Sequence, residues 1–318
     1  MVLDAGSKPS GDPGSRIAGG DEYADRMPYA PSGSIELFYD TTGDPSDPPV
    51  VLVAGLGQQM IGWDAEAVRD IADQGYFVVR FDNRDVGLST KLEGDVDLMA
   101  ALSAAVLGQV PRVPYRLSDM AMDIGAVMDH LLIDRAHVVG VSMGGVISQR
   151  FAIDAPERLA SLTSIMSTTG SILVGQATPA AAAFAFGEPV AGREEVIQRT
   201  VDMLEVYWGP HHWDEERARD RAAASYDRSF HPDGRERQFA ALLADGDRTQ
   251  ELTRLEVPSL VIHGGSDPLV DLSGGEATAD AIPDAKLSVF PTMGHDIPPA
   301  LWPEIRDLMT DHFSGGPV

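Results

Sequence analysis

The stretch Ala136-His137-Val138-Val139-Gly140-Val141-Ser142-Met143-Gly144-Gly145-Val146-Ile147 decides the fold. Its first six residues form a short apolar run of the kind that makes a strand covered on both faces. Its last residues open a helical stretch that ends before Pro156. Between the two lies Gly-x-Ser-x-Gly. Chance alone would supply roughly 0.2 such matches in a chain of this composition, so the flanking strand and helix carry the weight. A strand entering the serine and a helix leaving it describe a strained turn that lifts the hydroxyl above the sheet, with small neighbours avoiding a clash.

Working outward, the same alternation recurs. Ser34 to Tyr39, Val50 to Val53, Tyr76 to Phe81, Leu162 to Met166, Ser259 to Ile262 and Lys286 to Phe290 all read as strands. Residues 63–74 place Trp63, Ala67, Ile71 and Ala72 on one helical face, closed by Gly75. Ser118 is a good N-cap for a helix carrying Met120, Ile124, Val127, Met128 and Leu131. Ile305, Leu308 and Met309 line a closing helix. Strands alternating with helices predict an α/β fold, a mostly parallel doubly wound sheet covered on both sides. Residues 170–250 break the rhythm, with helical periodicity at Ile197, Val201, Leu204 and Tyr207 and no convincing strand. The expected organisation is a mobile tail at 1–25, a core formed by 26–169 and 251–318, and a helical lid at 170–250.

Composition narrows the function. The 318 residues hold 49 acids against 24 bases, a net charge of −25, which argues against nucleic-acid or anionic-membrane partners. There is no cysteine, so thiol catalysis and thiolate-held metals are excluded. No apolar run is long enough for a membrane span, and the first 25 residues lack the apolar stretch of a secretory signal, so a cytoplasmic protein is expected.

A serine hydroxyl needs a base, and the base needs an acid to fix its tautomer. Met293-Gly294-His295 follows the last strand, where a loop can return an imidazole over the sheet edge. Asp267, in Gly264-Gly265-Ser266-Asp267-Pro268, follows the strand before it, at the functional edge of open α/β folds. Its bland alternative is an Asp capping its own turn. Asp271 and Asp296 are the rival acids. An oxyanion needs two backbone donors, for which the Met143 N–H and the Leu56 N–H of Ala54-Gly55-Leu56-Gly57 are the candidates. The cluster Arg80-Phe81-Asp82-Asn83-Arg84-Asp85 lacks metal-ligand spacing and reads as a hydrogen-bonded structural loop. Gly55, Trp63, Phe184, Phe186, Tyr207, Trp208 and Met293 are candidate substrate contacts, Trp63 and Met293 serving equally well as core. The aromatic, Ala-rich segment 180–213 predicts an apolar cover and a small, uncharged, hydrophobic ester.

The order Ser-Asp-His, the turn after a strand and the helical insertion before the acid resemble the α/β-hydrolase superfamily over about residues 28–314. Within it, Val53 to Trp63, Arg80 to Asp85, Val139 to Gly144 and Met293 to His295 are similar to aclacinomycin methylesterase-like hydrolases, which remove a methyl ester from a polyketide glycoside. The resemblance implies ester hydrolysis through an acyl-enzyme on Ser142, with no metal or organic cofactor. Thioesterases, carbon–carbon bond hydrolases and perhydrolases share the constellation, and some members of the fold only bind ligands. Many superfamily members carry a His where Ala54 stands, so the support of the oxyanion loop must come from elsewhere.

Overall fold

The continuous apolar runs form the inner strands of one eight-stranded sheet. A computed structural model describes residues 28–185 and 190–315. The strands are β1 (Tyr29–Ser32), β2 (Ile35–Thr42), β3 (Pro49–Val53), β4 (Phe77–Phe81), β5 (Ala136–Val141), β6 (Leu159–Ile165), β7 (Ser259–Gly264) and β8 (Lys286–Phe290). Their order in the sheet is β1-β2-β4-β3-β5-β6-β7-β8. β1–β2 and β2–β4 are antiparallel and every other pair is parallel. The alternation within β3 explains why a buried strand reads as unbroken apolar sequence. Val51 and Val53 face one core with α3 (Leu117–His130) and α4 (Met143–Asp154). Val50 and Leu52 face the other, with α1 (Ala65–Ala72) and the closing helix Trp302–Phe313. The fold is an α/β sheet covered on both faces, as the alternation predicts.

Several local expectations shift. Trp63 sits outside α1, at the end of a single turn of 3-10 helix, and Val68 joins Ile71 on the buried face in its place. The helix expected to start after Ser118 starts at Leu117, and the Asp119 carboxylate accepts the Arg116 N–H at 2.7 Å. The helix α2 (Leu98–Val106) and the strand β1 have no counterpart in the sequence reading. The expected tail at 1–25 lies outside the described residues.

Between β6 and β7 run α5 (Pro179–Ala185), α6 (Arg193–Trp208), α7 (Glu215–Arg228), α8 (Pro232–Asp245) and α9 (Thr249–Leu252). They divide into two parts. Ala181, Ile197, Val201, Leu204, Tyr207, Trp208, Ala218 and Ala222 form a small core of their own under α5–α7. Ala241 and Leu252, from α8 and α9, instead join the main core. α10 (Leu272–Ala281) follows β7, and the closing helix is α11.

Candidate active site

β5 delivers Ser142 at the middle of the sheet, and the backbone there is bent by force of packing. Ser142 has φ +54° and ψ −121°, a region that an L-residue occupies only when its surroundings over-determine it. The Ser142 N–H donates to the Ile165 carbonyl at 2.9 Å, and the Ser167 hydroxyl donates to the Ser142 carbonyl at 2.9 Å. Gly140 and Gly144 are required by close approach. A Cβ on Gly140 would lie 2.1 Å from the Gly144 oxygen, and one on Gly144 would lie 2.2 Å from the Val53 oxygen. The turn therefore wedges the start of α4 against the end of β3.

Loops from two neighbouring strands complete the line. The His295 Nε2 lies 2.9 Å from the Ser142 Oγ, and its Nδ1 lies 2.7 Å from the Asp267 Oδ2. The other Asp267 oxygen accepts the Leu269 and Val270 N–H groups, both at 2.9 Å. The turn-capping role and the imidazole-facing role thus coexist, one oxygen each, and the cap fixes the carboxylate that meets the ring. The His295 N–H donates to the Tyr207 carbonyl at 2.7 Å. Gly294 allows that docking, because a Cβ there would stand 2.3 Å from the Trp208 oxygen. The rival acids are engaged elsewhere. Asp271 caps α10 through the Ser273 N–H, and Asp296 binds Arg217 at 2.6 Å and Arg221 at 3.2 Å.

The loop after β3 reaches the same point. A Cβ on Gly55 would lie 3.4 Å from the Ser142 Cβ. Among the described residues, the N–H groups of Leu56 and Met143 make no hydrogen bond. The support left open at Ala54 comes from three amides. The Asn83 side chain donates to the Ala54 carbonyl at 3.0 Å, the Gln58 side chain accepts the Gly55 N–H at 3.3 Å, and Gln238 of α8 accepts the Gly57 N–H at 2.8 Å. The acidic cluster is structural, as read. Asp82 accepts the Met60 and Leu88 N–H groups, Asp85 pairs with Arg237, and Arg84 pairs with Asp123.

The remaining candidates fall into two sets. Trp63 and Met293 are packed in the core between the sheet, α1 and α11. Tyr207 presents its ring edge-on to His295, with centroids 6.3 Å apart, and Phe184 packs edge-on against Tyr207. Trp208 is buried beneath the Arg217 guanidinium, 4.4 Å from the ring centroid. Phe186 lies outside the described residues. Sequence reasoning gave no site role to Gln238, Asn83 or His263. His263 is fully buried, donates through Nε2 to the Val270 carbonyl at 2.9 Å and is kept neutral by burial, which pushes its pKa down. It therefore backs the Asp267 turn without bringing a charge to it. Two surface hollows, one bordered by Met122, Gly125 and Phe151 and the other by Arg80, Arg217 and Arg221, include none of Ser142, Asp267 and His295.

Comparison with known proteins identifies relatives of this chain. The rhodomycin D methylesterase DauP of Streptomyces sp. (strain C5) is 31% identical over 307 residues, covering 89% of this chain and 97% of its own length. Its counterpart DnrP of Streptomyces peucetius is 30% identical over 309 residues, with the same coverage. A hydrolase from Pseudomonas aeruginosa PA01 superposes with a TM-score of 0.67 at 24% identity, over 92% of this chain and all of its own. A meta-cleavage product hydrolase from Pseudomonas fluorescens IP01 gives 0.71 at 20%, over 90% and 97%. The model of the alpha/beta hydrolase fold family matches residues 48–298, and the chain belongs to that family.

Proposed function

We propose that the protein is a serine hydrolase that cleaves a carboxylic ester through an acyl-enzyme on Ser142. The observation that carries this reading is the unbroken line from the Ser142 Oγ to the His295 imidazole to the Asp267 carboxylate, at 2.9 and 2.7 Å. In the first half-reaction His295 takes the hydroxyl proton as Ser142 attacks the ester carbonyl. The Met143 and Leu56 N–H groups, otherwise unengaged, hold the oxyanion, and the N-terminal end of α4 adds its dipole. The alcohol leaves with the proton from His295. Water, deprotonated by the same imidazole, then releases the acid. Asp267, acting through His295, holds the ring and stabilises its charged form. No metal or organic cofactor enters any step.

A methyl ester is the favoured substrate class, because the methylesterases align over nearly the whole chain. We assign α5–α7 the role of lid, supported by their separate small core and by Tyr207, whose carbonyl and ring both meet His295. The test is hydrolysis of short-chain p-nitrophenyl esters together with labelling by a fluorophosphonate serine probe. Turnover and labelling that both vanish in Ser142→Ala support the reading. Absence of both in the wild type sinks it.

A further inference from the structure

α8 carries Arg235 beside the loop that approaches Ser142, and among the described residues this arginine forms no ion pair. The Arg235 stem lies against the oxyanion loop, so that a Cβ on Gly57 would meet its Cγ at 3.0 Å and its Cδ at 3.2 Å. One turn further along α8, Gln238 bonds the Gly57 N–H, which pins this face of the helix to that loop. The Tyr207 phenol and the Arg199 guanidinium, both on α6, lie within electrostatic reach of the Arg235 charge. Gly57 belongs to the loop whose Gly55 approaches Ser142, and the Tyr207 ring meets His295, so Arg235 sits close to both halves of the Ser142–His295 pair.

The environment makes this charge unusual. Among the described residues, no carboxylate forms an ion pair with Arg235 or Arg199, and the neighbouring acid Glu236 is exposed. Arg217, Arg221, Arg228, Arg237 and Arg248, other arginines that join the insertion to the core, each hold an acid. In a chain with net charge −25, two neighbouring guanidiniums that form no ion pair among the described residues are not a consequence of composition. A part-buried charge without a counter-ion is unfavourable, and a planar guanidinium is shaped to take a carboxylate in two parallel hydrogen bonds.

We infer that Arg235, with Arg199 beside it, binds a free carboxylate of the substrate, so that the ester cleaved is one whose acyl part carries a second, unesterified acid group. This rests on the ester-hydrolase reading and departs from the uncharged ester that the aromatic segment suggests. An apolar body under α5–α7 and one carboxylate at Arg235 satisfy both features.

The test uses the full-length Ser142→Ala protein and calorimetric binding of monomethyl esters of linear diacids, from succinate to suberate, each against its dimethyl ester. At the best chain length the half-ester should bind at least tenfold more tightly. Adding Arg235→Met, which keeps the apolar stem over Gly57, should reduce that preference to within twofold, while Arg235→Lys retains part of it. Arg199→Met should weaken it less than Arg235→Met. The proposal is overturned if half-ester and diester bind alike at every length. It is equally overturned if Arg235→Met lowers the melting temperature and leaves the preference intact, as loss of a purely structural side chain would. Turnover of the dimethyl esters by the Ser142 enzyme reports separately on ester hydrolysis, so the two readings fail independently.

Discussion

Each link of the Ser142–His295–Asp267 line is a contact between two identified atoms, and this makes single-atom substitutions informative. Asp267→Asn keeps the shape and the turn cap but offers an amide to the His295 Nδ1. The ring then loses its tautomer and its counter-charge, and kcat should fall by about 10⁴. Asp271→Asn and Asp296→Asn should stay within about tenfold, since these acids cap α10 and bind α7 instead. Steady-state kinetics on one p-nitrophenyl ester ranks the three; a near-wild-type Asp267→Asn beside an inactive, folded Asp271→Asn would move the orienting role. Gly294→Ala tests positioning, because its methyl group must displace the Trp208 carbonyl, 2.3 Å from the ideal Cβ position. Activity should drop at least a hundredfold with the fold retained by circular dichroism. These residues were legible in the sequence because each ends a strand and the chemistry prescribes their order. Arg235 and Gln238 were not legible. Both lie mid-helix in an irregular insertion, where only tertiary packing decides which way a side chain points.

At the scale of elements, α8 acts as a strut for the loop after β3. Gln238 is fully buried, accepting from Gly57 and donating to the Arg84 carbonyl at 2.8 Å, so one side chain ties that loop to the acidic one. Gln238→Met leaves a part-buried N–H and a part-buried carbonyl unpaired, at up to about 1–3 kcal/mol each. Urea unfolding should show that loss and kcat should fall about tenfold; a destabilised variant with unchanged kcat would separate the helix from the loop's alignment. The elements the sequence revealed are those with a strong pattern, such as β3 and β5 between two cores. β1 escaped notice because Tyr29-Ala30-Pro31-Ser32 contains a proline, which only an edge strand tolerates. α2 escaped because it buries only Ala101 and leaves Met99 and Val106 exposed, so no 3.6-residue stripe exists to be read. Trp63 misled the helix boundary because an indole beside a helix packs on the same core as one within it.

Across the whole molecule, pH acts first through buried imidazoles. His137 on β5 bonds the Ser161 hydroxyl at 2.8 Å and packs on Phe313, and burial, aided by His312 and Arg135, pushes its pKa down to about 4. The folded ring stays neutral where the unfolded one, near 6.5, is protonated. The unfolded state therefore binds more protons between those values, and stability falls as pH drops through that window. The loss assigned to His137 is about 2 kcal/mol from pH 7 to pH 5. His137→Gln should flatten the pH dependence of the urea midpoint over that interval; an unchanged slope would assign the titration to other groups. The edge position of β8 has a different kind of consequence, concerning the order in which the protein fails. Ser142 hangs from β5, held by a neighbour on each side, whereas His295 hangs from β8, a largely exposed strand bonded to β7 alone. A sheet margin frays at lower free energy than its middle. Base and nucleophile should thus part company in urea while the central strands are still intact, so that inactivation precedes loss of the far-ultraviolet signal and reverses at once on dilution. Coincident midpoints for the two would show that the margin melts only with the whole.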